Sequence, residues 1–209
     1  LQDLYRKYAA TIQFRDQILG GIPKAKDLIE FWLRRKGFSG RELMTIAQKT
    51  AVDVQAVEKE ILKIHNWTGF KKDREGLFIE ERQVKALLKE AAYVLRLSKT
   101  PGFRDSISHG VFVKPERIHL LRGSRTLLEV DGYVERPIHV ISPQGPRTVV
   151  VRQDFVLKPR SSFNLIVASP QLKFEDVQRL LYLGQEIGLG ASRSQGFGKF
   201  VIKELKPIQ

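Results

Sequence analysis

The 209-residue chain contains no cysteine, one methionine, two tryptophans and four histidines. Without cysteine it has neither a disulfide framework nor a thiolate metal site, and an intracellular protein is the natural expectation. No apolar stretch approaches the roughly 20 residues of a membrane-spanning helix, and no secretory signal is visible. The expectation is a soluble, cytoplasmic protein with no membrane partner, although a chain that opens at Leu1 leaves room for a lost leader. Acid is also scarce: 23 Asp and Glu stand against 36 Lys and Arg, a net charge of +13. An excess of this size favours a polyanionic partner, most simply nucleic acid, because each neutralised phosphate releases condensed counterions. The alternative is a basic surface that serves only solubility. At this length one domain with an insertion is expected, burying roughly 70% of the unfolded surface.

What is present is ordered by period. Tyr8, Ala10, Ile12 and Phe14 alternate with Thr11, Gln13 and Arg15, which predicts a half-buried strand. It ends in Leu19-Gly20-Gly21-Ile22-Pro23, where the glycines permit a sharp turn and Pro23 can open a helix. A helical stretch is expected from 41 to 65, then a loop, the apolar run Leu77 to Ile79, and a long helix from Glu81 to Leu97. In that helix Val84, Leu87, Leu88, Ala91, Val94 and Leu95 form the core stripe. Beside it Arg82, Lys85, Lys89 and Arg96 align as a basic ribbon.

The second half is mostly strand. "GVFVKPERIHLL", "TLLEVDGYVERPIHVI", "RTVVVRQDFVL" and "SFNLIVAS" follow in turn, and "SPQGP" makes residues 134–157 a β-hairpin. "KFEDVQRLLYLGQEIG" is an amphipathic helix with Phe174, Val177, Leu180, Leu181 and Ile187 inward, and Glu175 and Asp176 suit its N-terminal end. A glycine loop and a last strand close the chain. Strand, helix, strands, helix, strand is the order of a ferredoxin-like, RRM-like α+β sandwich: one domain over 1–209 with a helical insertion over 22–70.

The loop "GLGASRSQGFGK", residues 188–199, fits neither common glycine motif. Its glycines follow a helix instead of opening one, with Arg193 in the place of a third glycine, and Gly198-Lys199 is followed by Phe200 where a P-loop needs Ser or Thr. What remains is a helix-to-strand loop. Gly188, Gly190, Gly196 and Gly198 allow close backbone approach, Arg193 and Lys199 supply charge, and Ser192, Ser194 and Gln195 can donate hydrogen bonds.

The order of pieces resembles the RAMP superfamily, the RNA-binding proteins of CRISPR systems. "GLGASRSQGFGKF" is similar to that family's C-terminal glycine-rich signature. "LFIEERQVKALLKEAA" is similar to the apolar run and helix of its effector-backbone members, with Lys85 at the characteristic lysine. "ILGG" is a third, weaker match. Where the family has Pro-Gly-Ser-Ser, this chain has Glu81-Arg82-Gln83-Val84. The resemblance implies a RAMP fold and single-stranded RNA binding as a subunit of a CRISPR-like ribonucleoprotein, with other protein subunits or self-association as partners. In some relatives a loop aspartate before the helix cleaves RNA with a divalent metal, and Asp73 stands at a similar place. Cleavage there would require Mg²⁺, whereas binding requires no cofactor; a surface acid paired with its neighbours is the commoner role for such a residue. The repeat-processing branch often uses histidine as a base, and of the histidines only His109, in the expected loop Phe103 to His109 with Arg104, sits where RNA could pass.

Two other readings stay open. "IAQKTAVDVQAVEKEIL" has helix-turn-helix spacing, with Ile46, Ala47, Val57 and Ile61 packing and Asp53 capping, which suggests duplex DNA binding. Glu58 and Glu60 on the presumed reading helix oppose that, and a helical lid or subunit-contact module fits better. The remaining alternative is a non-catalytic structural, assembly or single-stranded DNA-binding protein, for instance viral, that has kept the fold. The expected RNA interface is the basic ribbon, the Phe103 to His109 segment and the glycine loop, with Phe197 and the hairpin near Pro143 available to bases.

Overall fold

The computed structural model describes residues 5–23, 67–95, 102–142 and 145–208. In chain order the strands are β1 (Arg6–Phe14), β2 (Gln17–Leu19), β3 (Ile22–Pro23), β4 (Trp67–Gly69), β5 (Lys71–Lys72) and β6 (Leu77–Glu80), followed by helices α1 (Glu81–Val94) and α2 (Phe103–Gly110). Then come β7 (Val111–Lys114), β8 (Arg117–His119), β9 (Leu121–Arg122), β10 (Arg125–Thr126), β11 (Gly132–Ser142), β12 (Gly145–Leu157), β13 (Arg160–Val167), α3 (Phe174–Ile187) and β14 (Phe200–Ile208). The chain divides into two compact units, Leu1–Leu19 with Phe70–Asp131 and Phe155–Gln209, and Gly20–Gly69 with Gly132–Asp154.

In the first unit β1 is the middle strand. It pairs antiparallel with β13 on one edge and β14 on the other, so that Tyr8 faces Leu165 and Pro207. On its far edge β13 pairs antiparallel with β7, Leu165 opposite Val113. The lateral order β14-β1-β13-β7, with α1 following β1 and α3 preceding β14, is that of a ferredoxin-like fold. The expected alternation holds: Tyr8, Ala10, Ile12 and Phe14 are buried under the helices in one core with Leu87, Leu88, Val177 and Leu181. Where the two helices cross, a Cβ at Gly184 would lie 3.0 Å from Leu87 Cδ2, so the missing side chain lets them approach closely. On the opposite face the Thr11 and Ser162 hydroxyls meet at 3.0 Å.

Three expectations in this unit need correction. The segment 111–122 is three short strands, not one, because Pro115 has no N–H to donate to a ladder and the chain turns there. Helix α1 ends at Val94, and Val94 and Leu95 are exposed where the core stripe was expected to continue; the buried stripe ends at Ala91 and Ala92. The segment Phe103 to His109 is a helix and not a loop: Phe103 and Ile107, four residues apart, are both buried, and Gly102 precedes them in the left-handed conformation.

In the second unit β3 pairs antiparallel with β4, β4 pairs parallel with β12, and β11 lies beside β12 as the expected hairpin. Trp67 Nε1 donates to Asp154 Oδ1 at 2.6 Å, and the Arg152 guanidinium stacks 4.2 Å from the Tyr133 ring centre and 5.0 Å from that of Trp67. The two ends of the expected insertion are thus strands. Residues 24–66, with the helix-turn-helix candidates Ile46, Ala47, Asp53, Val57 and Ile61, lie outside the described residues, as does Pro143.

Candidate nucleic-acid interface

The glycine loop is a folded rim. Leu189 N donates to Gly198 O, closing the loop on itself, while Gly198 N donates to Gln17 O and Ala191 N to Leu19 O, both at 2.9 Å, which fastens it to the two ends of β2. A Cβ at Gly198 would run into the Leu189 carbonyl oxygen, and its φ of +75° disfavours a side chain as well. Gly188 and Gly190 make similar close approaches, to Phe197 O and Leu19 O. Their first use is therefore internal packing. Beyond this rim a short 3-10 turn, Arg193–Gln195, raises a tip in which Ser194, Gln195 and Gly196 are exposed, with Ser192 half-buried in the left-handed region before it. Of the loop's four glycines 188, 190, 196 and 198, Gly196, φ +90°, is the one at which a Cβ meets open space. Phe197 is half-buried.

Cations around the rim are held by carboxylates. Arg193 Nη1 lies 2.6 Å from Glu90 on α1, so the loop and the helix share one surface. Lys199 reaches Glu186 at 3.1 Å, and Arg15 reaches the other oxygen of the same carboxylate at 2.5 Å. The Arg15 bond, then the Lys199 bond, hold Glu186 below its ordinary carboxylate range. On α1, Arg82 pairs with Glu80 at 2.6 Å and Lys85 sits 5.5 Å from the Phe112 ring centre, while Lys89 is exposed beside Glu90. Burial raises the Glu80 pKa, but bonds from Lys71 and Arg82 outweigh it and keep the group ionised. His109 is exposed in the last turn of α2. Arg96 and the side chain of Arg104 lie outside the described residues. Sequence reading missed Glu90, Glu186 and Arg15, whose partners are distant in the chain.

Asp73 occupies the turn between β5 and β6. Its Oδ1 accepts from the backbone N–H of Glu75 at 2.9 Å and of Gly76 at 3.1 Å. On the neighbouring β8, His119 Nε2 lies 3.0 Å from Oδ1 and Arg117 Nη1 3.0 Å from Oδ2. The bond with His119 is the largest cause holding the carboxyl far below its usual range; desolvation opposes it, and the bonds from Arg117 and the turn N–H groups add to the lowering. His119 also has Nδ1 3.6 Å from Glu75, and its ring meets Phe78 edge-on. The antiparallel register that puts Phe78 opposite His119 creates this cluster, and nothing local in the sequence announces it.

Compared by sequence, the chain matches no family model and no curated protein. Compared by structure, it shares its fold with a chain in the cryo-EM structure of the type III-B Cmr-beta bound to cognate target RNA, at 12% identity and a TM-score of 0.54. The match covers all of this chain and 62% of the other, so this chain spans about three fifths of the length of its match.

Proposed function

We propose that the chain binds single-stranded RNA as a RAMP-type subunit of a CRISPR-like ribonucleoprotein, holding the RNA backbone along the rim where α1 and the glycine loop meet. The observation that carries this reading is the Arg193–Glu90 pair, which joins two elements that separately resemble the family and brings Lys89, Arg193 and the exposed tip Ser194 to Gly196 to one surface. A net charge of +13 supports a polyanionic partner, and a fold shared with a chain from an RNA-bound assembly supports association with further protein subunits. Cations and an exposed backbone tip suit phosphates, so recognition is of backbone more than of bases. Binding is favoured over cleavage because Asp73 is engaged by Arg117, His119 and two backbone donors; to recruit a metal it would have to give up partners that hold its turn.

The test is fluorescence anisotropy with single-stranded RNA, single-stranded DNA and duplex DNA of one sequence at three salt concentrations. The expected order is RNA tightest and duplex weakest, with affinity falling steeply as salt rises. Arg193→Ala weakens binding to every RNA sequence and flattens the salt slope by about one unit. Tighter duplex binding would move the function to the insertion, and no binding to any strand would favour a purely structural or assembly role.

A further inference from the structure

Helix α1 has a solvent face as regular as its core face. Val84, Leu87, Leu88, Ala91 and Ala92 are buried on one side, and Arg82, Ala86, Lys89 and Tyr93, at successive offsets of four, three and four residues, form an exposed stripe on the other. Tyr93 ends that stripe with 75% of its surface exposed, an unusual position for so large an apolar ring. It lies one turn beyond Lys89, about 6 Å along the helix axis. With roughly 100° of turn per residue, it points between the directions of Lys89 and Glu90. Glu90 in turn holds Arg193 of the glycine loop at 2.6 Å. The ring therefore stands on the surface that the loop and the helix share, and Val94 beside it is exposed as well.

We propose that Tyr93 stacks on one unpaired base of an RNA held along the rim, and so makes that surface select single strands over duplex. This rests on the rim as an RNA-binding surface and adds a base contact to its phosphate contacts. The negative face of an aromatic ring repels a phosphate and stacks on a base, so the ring and the cations beside it ask for different parts of the same nucleotide. Arg82 is shared with Glu80 and Arg193 with Glu90, whereas Lys89 and Tyr93 stand one turn apart, ammonium beside ring, as phosphate stands beside base. A base inside a duplex is covered on both faces by its neighbours and cannot lie on a ring that projects from a convex helix; an unpaired base can swing out to it. Every base has a π-face, so Tyr93 adds affinity and a preference for single strands without a preference for sequence. An exposed ring also suits a protein partner, but this one shares its stripe with Arg82 and Lys89, whose charge complements phosphate.

Fluorescence anisotropy of the full chain with a single-stranded RNA, an abasic ribose-phosphate strand of the same length and the corresponding duplex tests the proposal. Tyr93→Ala is expected to weaken binding of the base-bearing strand about tenfold while leaving the abasic strand, the duplex and the salt slope as in the parent. Tyr93→Phe keeps the ring and is expected to keep the affinity that Tyr93→Ala loses. The side chain is at the surface, and circular dichroism checks that the variants fold. Arg193→Ala is expected to weaken base-bearing and abasic strands alike, so the two contacts fail in different ways. A parent that binds no RNA overturns the rim and the stacking together, whereas RNA binding that falls in Arg193→Ala and is indifferent to Tyr93→Ala overturns the stacking alone. An equal loss on both strands in Tyr93→Ala, or a loss as large in Tyr93→Phe, overturns it too. So does a dimer, followed by sedimentation velocity, that Tyr93→Ala dissociates, since the ring would then serve a second copy of the chain.

Discussion

The two ends of β14 use positive charge in opposite ways. At the end that leaves the glycine loop, Arg193, Lys199 and Arg15 are each bonded to Glu90 or Glu186. At the other end Arg6 bonds the Ser169 carbonyl and Lys7 lies over the Tyr5 ring, and among the described residues neither has a carboxylate partner. Paired charges set geometry: they dock the loop on α1 and on α3 and give up part of their attraction for a phosphate, which must compete with a carboxylate already in place. A charge that meets only a carbonyl or a ring keeps more of that attraction. A count of basic residues therefore overstates what the rim offers a polyanion and understates what the far end offers.

The strongest way to break the comparison is to unfold the rim itself. Gly198→Ala drives a Cβ into the Leu189 carbonyl at a positive φ and is expected to cost about 3 kcal/mol in denaturant unfolding. Gly196→Ala, with the same sign of φ but open space around it, is expected to cost only about 1 kcal/mol. Near-equal losses would mean that backbone torsion, and not close packing, is what the glycines serve.

A smaller effect is expected from acid, at a carboxylate whose pairing is structural. Asp73 titrates lower in the folded chain than in the unfolded one, so its contribution is complete above the unfolded carboxylate pKa and is lost as pH falls toward the folded one. Between about pH 5 and pH 2 the parent's Tm is expected to fall more steeply than that of Asp73→Asn, which has no such proton to take up. Parallel curves would show that Asp73 is not held as its bonds with His119 and Arg117 indicate.

The smallest effect sharpens the contrast most directly. Glu186→Gln frees Arg15 and Lys199, and Glu90→Gln frees Arg193, so each is expected to tighten RNA binding about twofold to fivefold at low salt, with the gain shrinking at high salt. A loss of RNA affinity in either variant would show that the ion pairs position the loop for RNA and do not compete with it.

Much of the fold is legible in local pattern. The period-two alternation of Tyr8, Ala10, Ile12 and Phe14 and the helical stripe Val84, Leu87, Leu88 and Ala91 report burial directly, because each secondary structure presents one face to the core. Legibility fails where tertiary context overrides pattern. Phe103 and Ile107 form one helical turn pair that is easily read as a loop among polar neighbours, and Val94 and Leu95 continue an apolar stripe beyond the last buried residues of α1. The site divides the same way. The glycine loop stands out as a segment, but the surface on which Glu90 meets Arg193 joins residues from both halves of the chain and leaves no mark in any window of sequence.

The sequence by itself determined the order of β1, α1, α3 and β14, the inward faces of β1, α1 and α3, and an excess of positive charge, since these depend on neighbours along the chain. Only the tertiary structure decided what the charges and glycines do. Gly198 must be glycine because Leu189 crosses it, and Asp73 has His119 beside it because β6 pairs with β8 in one register. Arg193 is bound by Glu90 because a loop 103 residues away folds over α1. Contacts of that kind exist only after the core has closed the chain between them, and their own energies are too small to be written into local composition.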